Sequence, residues 1–234
     1  MHRWVKAASA VWMILFLLAP TGLALGYGEP PFGIVDPRKL NDALAEAKAG
    51  VAANDKDVNA LRVAGVASHQ LARLRVSGTA QQAVDFLTRA VALAPDDAEL
   101  LAYLGSAHAM LGRDSSSIVS KLTNVNRGLS ELDKAVRKNK DNLRARLLRG
   151  SVSYEVPKMF DRKQVALDDY TYVAQMVQGG RPLEKTIQAE VYYKLGALLL
   201  ERNDRAAADN YFFLARTAAP ASDWGLRAEK ERRK

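Results

Sequence analysis

The chain has 234 residues, of which 48 % are hydrophobic, 26 % charged and 7 % aromatic, with no cysteine and a formal net charge of +8. That length allows one large domain or two small ones. The absence of cysteine excludes disulfides, thiol nucleophiles and thiolate-bound metals, and few aromatics beside abundant Ala and Leu favour helix over sheet.

The first residues form a separate object. "MHRWVK" is a short basic start, "AASAVWMILFLLAP" is an apolar run without a charge, and "TGLALGYGEPP" turns small and polar. This is the three-part layout of a secretory signal peptide, with Ala24-Leu25-Gly26 fitting the small-x-small cleavage rule. Residues 7–26 could also just span a bilayer as an uncleaved anchor, but Pro20 and the small residues after it favour cleavage. No cysteine follows the run, so a lipid-anchored lipoprotein is excluded. Removing residues 1–26 takes away Arg3 and Lys6, lowers the charge from +8 to +6 and places the chain in a periplasmic or extracellular compartment. A basic protein there meets anionic lipid, cell-wall polymer or an acidic protein patch rather than nucleic acid.

After an extended segment at 27–36, Asp36-Pro37 offers a cap residue and a proline at the first helical position. From there the spacing predicts helices at 37–53, 57–73, 80–94, 97–111, 115–139, 142–155, 163–177, 183–202, 205–218 and 223–232. The last of them, "DWGLRAEKERRK", is a basic, solvating cap helix and tail at 223–234. No segment keeps a two-residue alternation, so no sheet is expected.

Within these helices one pattern recurs. In "QQAVDFLTRAVALAP", Ala83, Leu87, Ala90 and Pro95 stand at the same spacings as Ala208, Phe212, Ala215 and Pro220 in "RAAADNYFFLARTAAP". Offsets of four and seven share a helical face, and the proline at twelve lies just beyond the helix end. A second pattern sets Leu101, Leu104, Gly105 and His108 in "LAYLGSAH" against Tyr192, Leu195, Gly196 and Leu199 in "YYKLGALLL". Weaker copies run through Leu61, Ala64 and Gly65, through Gly128, Leu132 and Ala135, and through Ala166, Tyr170 and Val173. Arg146, Arg149 and Gly150 make a poor copy, because arginine fills both places that are apolar elsewhere.

These residues resemble the tetratricopeptide repeat family, whose unit is a helix–turn–helix of about 34 residues. The resemblance implies an all-α solenoid over 37–222, in which small residues let paired helices approach closely while large neighbours fill the flanks. Gly196 to Ala208 is the unexpanded spacing of twelve residues, whereas Gly65 to Ala83 is eighteen, Gly105 to Gly128 twenty-three and Gly150 to Ala166 sixteen. All three insertions fall in the turn inside a repeat, so stacking is expected to bring them to one edge. The largest carries Ile118, Leu122, Val125, Leu129, Leu132 and Val136, which predicts one amphipathic helix from about Ser115, capped by Asp114. Its first turns overhang the preceding helix. Ile118 and Leu122 are then either covered by the other insertions, near Leu74 and "VPKMF", or exposed as an apolar ledge for a partner. A further expansion, "QGGRPLEK" at 178–185, lies between repeats and serves as a connector or a flex point.

Catalytic and cofactor motifs are not found: there is no HExxH, GxSxG, Walker loop or GxGxxG. His69 and His108 have no partner at metal-ligand spacing, and His108 is read as a core residue. Asp168 and Asp169 are adjacent on a helix, diverge, and are read as solvated surface. The resemblance also implies a groove lined by the first helix of each repeat. Carried over by position, it exposes Asn59, Arg62, Val66 and His69, then Glu99, Ala102, Ser106 and Ala109. Arg144, Leu147, Ser151 and Tyr154 follow, and then Glu190, Tyr193 and Ala197. Ala102, Leu147 and Tyr193 replace the cationic and amide groups of the family's carboxylate clamp, so that clamp is not expected. The candidate contacts are Arg62, Arg144, Tyr154 and Tyr193, residue types that dominate interface energetics, with Ile118 and Leu122 as the rival ledge. The reading is a non-catalytic, cofactor-free adaptor of the cell envelope that binds protein or peptide. The alternative is an anionic-surface binder using Lys134, Arg137, Lys138, Lys140, Arg144, Arg146 and Arg149.

Overall fold

The computed structural model describes residue 33 and residues 36–234; the signal segment and most of 27–36 lie outside the described residues. Among the described residues ten α-helices follow one another: α1 (Pro37–Ala53), α2 (Val58–Arg73), α3 (Thr79–Leu93), α4 (Ala98–Asp114), α5 (Ile118–Lys138), α6 (Leu143–Glu155), α7 (Lys163–Gln178), α8 (Lys185–Glu201), α9 (Arg205–Ala218) and α10 (Asp223–Arg232). A short 3₁₀ turn, Lys158–Phe160, stands between α6 and α7. No strand occurs among the described residues. The architecture is an all-α solenoid in which α2, α4, α6 and α8 are first helices and α3, α5, α7 and α9 pack back on them.

The starts of the helices are written locally. Asp57 accepts from the amides of Asn59 and Ala60, Asp97 from Glu99 and Leu100, and Asn142 from Ala145. Each such side chain satisfies amides that the first turn leaves without a helical partner. The start of α5 departs from expectation: α4 runs on through Asp114, and α5 begins at Ile118 under Ser117, whose hydroxyl accepts from the Ser120 amide. The Asp114 carboxylate is held instead by the Arg113 guanidinium at 2.6 and 2.8 Å. It is therefore committed before α5 begins.

Four glycines set the distance between paired helices. A first side-chain carbon at Gly65 would lie 2.6 Å from Leu87 Cγ, and one at Gly196 would lie 2.8 Å from Phe212 Cε1. At Gly150 it would meet Tyr170 Cε1 at 3.3 Å, and at Gly105 both the Gly128 carbonyl at 2.7 Å and Leu132 Cγ at 2.9 Å. The four large partners stand at one equivalent position, four residues after Ala83, Gly128, Ala166 and Ala208. Leu87, Leu132, Tyr170 and Phe212 are all fully buried. Small on one helix and large on the other is thus one contact made four times.

The poor copy at 146–150 is a genuine first helix, and its arginines have a reason. Arg149 forks onto Asp169 at 2.7 and 2.8 Å, and Arg146 reaches the same carboxylate at 3.1 Å. Asp169 is wholly buried, which corrects its reading as solvated surface; only Asp168 stays exposed, accepting from Gln164. Asp133 extends the network, pairing with Arg162 at 2.7 Å and Arg149 at 3.4 Å. His108 sits in the core as expected, its Nδ1 at 2.6 Å from Glu131.

Two substitutions separate these contacts. Gly105→Ala drives its new carbon into backbone and is expected to cost about 1–3 kcal/mol; Gly150→Ala meets only side chains and costs less. Equal melting temperatures for the two would contradict the assigned contact. Asp169→Ala strands two guanidinium groups and is expected to cost about 3 kcal/mol or more by denaturant titration, as removal of one partner from a buried ion pair does.

Candidate binding cavity among the first helices

The three insertions do converge. The turn after α2 supplies Arg75, the start of α5 supplies Lys121 and Leu122, and the segment after α6 supplies Val156, Pro157, Met159 and Phe160 to one cavity of about 630 Å³. Its walls are the facing sides of the first helices, with His69, Ser106, Leu147, Ser151 and Ile187 among them. The lining is mainly apolar, with the cations Arg73, Arg75, Arg113, Lys121 and Lys194 and the carboxylates of Glu155 and Glu190 among it. Arg75 and Arg113 share Asp114, at 3.7 and 2.6 Å. The Arg113 guanidinium also donates to the Ala72 carbonyl, which ties the end of α4 to the end of α2.

Across the cavity the first repeat meets the last. Glu190 on α8 accepts from Arg73 on α2 at 3.4 Å and pairs with Lys194 at 2.9 Å. Lys194 is only 3 % exposed, lies 3.3 Å from Glu155, and sits over the rings of Tyr154 and Trp224 at 5.1 and 5.4 Å. Burial works against its charge, but Tyr170, Glu190 and Glu155 hold the ammonium above the ordinary lysine range. Burial likewise opposes the Glu190 carboxylate, yet Lys194 and Arg73 keep it below the usual glutamate range. Burial and the nearby Arg73 push His69 down to about 3, so this wall of the cavity presents a neutral imidazole, with Nε2 at 2.9 Å from the Ser106 hydroxyl.

The six candidate residues are not brought together. Leu122 lines the cavity, while Ile118 stands at 75 % exposure beside the equally exposed Val119, one turn before it. The ledge is therefore open at Ile118 and Val119, while Leu122, one turn on, is half-buried on the cavity wall that it shares with the 156–160 segment. Arg62 is taken by Asp97. Arg144 approaches Glu99 at 3.8 Å and lines a second, smaller cavity of about 370 Å³ with Arg181. Tyr193 packs on Phe212 and Trp224 with ring centroids 5.7 and 5.5 Å apart. Tyr154 leans on Tyr170 at 6.4 Å, under Lys163. Both tyrosines thus pack between helices and stay half-exposed.

Missed at the sequence level were Arg73 and Glu190's partner Lys194; the 156–160 segment was expected near Leu122, but as a cover rather than a cavity wall. Position-by-position transfer exposes Glu190, Tyr193 and Ala197, but α8 turns Ile187, Glu190, Val191 and Lys194 to the cavity, a face one residue away. An apolar–apolar–charged spacing at 187, 191 and 194 was the available signal. Of the basic cluster, Lys138 pairs with Asp96, Arg144 with Glu99, and Arg146 and Arg149 with Asp169, while Lys134, Arg137 and Lys140 are exposed.

No protein-family model matches the chain, and no curated protein matches its sequence. Solved structures do match in shape. The crystal structure of TTC0263, a thermophilic TPR protein of Thermus thermophilus, superposes with a TM-score of 0.59 at 21 % identity, covering 82 % of this chain and 90 % of that one. A crystal structure of MamA gives a TM-score of 0.51 at 18 % identity, covering 84 % and 92 %. With its repeated small–large contacts and ten described helices in helix–turn–helix order, the chain has the tetratricopeptide-repeat fold.

Proposed function

We propose that the chain is a non-catalytic scaffold, exported from the cytoplasm, that holds an extended segment of a partner protein in the cavity built by its three insertions. The single observation that carries this reading is the convergence of those insertions, Arg75, Leu122 and Val156–Phe160, on one cavity of about 630 Å³. That volume lies in the range of about 300–1,000 Å³ typical of binding clefts. Apolar walls suit the side chains of a segment, and Lys121 at the start of α5 suits an acidic residue or terminal carboxylate. The anionic-surface alternative is less well supported, since four of its seven cations already have acidic partners. Salt would still separate the two, because exposed charge is screened and apolar burial is not. No helix among the described residues is long and apolar enough to cross a membrane.

Once a partner has been crosslinked in its native envelope and identified, titration tests the site. Leu122→Asp is expected to weaken binding at least about tenfold, or roughly 1.4 kcal/mol, and Lys134→Glu to leave it unchanged. The reverse pattern would move the site to the basic surface. For export, intact-mass measurement of protein recovered outside the cytoplasm is expected to place the first residue near Tyr27. Residues 1–26 retained on membrane-bound protein would replace cleavage with anchoring.

A further inference from the structure

Ile118, Val119 and Met159, each 75 % exposed, are the most exposed large apolar side chains among the described residues. They stand on two of the insertions that meet at the cavity, and the third carries Leu74 and Val76, both exposed as well. In every one of these insertions a solvent-facing cation adjoins the apolar side chain. Arg75 lies between Leu74 and Val76, Lys121 follows Ile118 by one helical turn, and Lys158 immediately precedes Met159. Arg75, Lys121 and Met159 line one cavity while staying exposed, which places the three insertions on a single rim. The Arg75–Asp114 pair at 3.7 Å holds the turn after α2 against the end of α4, just before α5 begins.

The charge of that rim is positive. Asp114 is shared by Arg113 and Arg75, so one guanidinium of the two stays uncompensated, and Glu155 is taken by Lys194. That leaves Asp161 as the remaining exposed acid beside Lys121, Lys158 and the surplus arginine charge. The rim also holds the N-terminus of α5, the positive end of its helix dipole, with no acidic residue in the first turn to offset it. We propose that this rim is a docking surface for an anionic lipid bilayer. A bilayer presents phosphates and acyl chains at neighbouring depths over its whole surface, and a cation beside an apolar side chain matches both at once. The same pair repeated on three separate turns needs no particular register on such a surface. Ile118, Val119, Met159, Leu74 and Val76 enter the acyl boundary, while Arg75, Lys121 and Lys158 stay among the headgroups. No residue of the 134–149 basic cluster takes part, and the proposal stands whether or not a segment occupies the cavity.

Co-sedimentation of the full exported protein with vesicles tests this directly. Vesicles of phosphatidylcholine containing phosphatidylglycerol are expected to bind it at least about tenfold more tightly than phosphatidylcholine alone, and less so as salt rises. Ile118→Ser/Val119→Ser and Lys121→Gln/Lys158→Gln are each expected to weaken that binding at least about tenfold. Helical circular dichroism and melting temperature are expected to stay unchanged, because these side chains are exposed or nearly so. Lys134→Gln/Lys140→Gln is expected to bind as wild type. The chain has no cysteine, so Val119→Cys carries a single environment-sensitive fluorophore, whose emission is expected to shift to the blue on the anionic vesicles; the same label at Lys134→Cys is not. Equal binding to both kinds of vesicle, or undiminished binding by Ile118→Ser/Val119→Ser, would overturn the proposal. Loss on Lys134→Gln/Lys140→Gln alone would overturn it by moving the lipid contact to the basic cluster. So would vesicles left unbound while Ile118→Ser/Val119→Ser abolishes binding of a captured partner, which would give the rim to a protein. The Leu122→Asp titration is made without vesicles and decides the cavity reading separately.

Discussion

Everything in this molecule hangs on how closely the two helices of each repeat can approach. A glycine on the first helix removes the one side-chain carbon that would hold the backbones apart, and a large residue on the second fills the flank. Gly65 with Leu87, Gly105 with Leu132, Gly150 with Tyr170 and Gly196 with Phe212 repeat this arrangement along the chain. Because the contact is the same each time, the pairing of helices does not depend on the length of the turns inside the repeats. They are free to lengthen, and three of them have.

Lengthened turns are what make this solenoid different from a plain stack. Stacking brings equivalent positions together, so insertions at equivalent turns arrive at the same edge. There they close a cavity that uniform repeats would leave as open concavity. The closure is reinforced across the gap by Arg73, Glu190 and Lys194, a line of alternating charge from α2 to α8. A buried lysine beside two carboxylates is costly to assemble and costly to break. Its place on the cavity wall ties the shape of the site to the distance between the first and last repeats.

Much of this was legible in the sequence, for a physical reason. Caps, small–large spacing and helical period are local, so Asp36-Pro37 announces the first helix, and the glycines announce the pairing. What was not legible depends on residues far apart. Arg146 and Arg149 look misplaced until Asp169 arrives from the next helix. Tyr154 and Tyr193 meet rings that α7, α9 and α10 supply from elsewhere in the chain. In each case the residue type was read correctly and its partner was not. The edge to which the insertions go followed from repeat geometry alone; the face α8 turns toward them did not.

The most direct test of the cavity as the binding site is a methyl-resolved NMR titration with the identified partner's segment. The account predicts that the methyls of Leu122, Val156, Ile187 and Val191 shift together and saturate at one affinity. Shifts confined to Ile118 and Val119, or to amides between Lys134 and Lys140, with the cavity methyls unmoved, would contradict it.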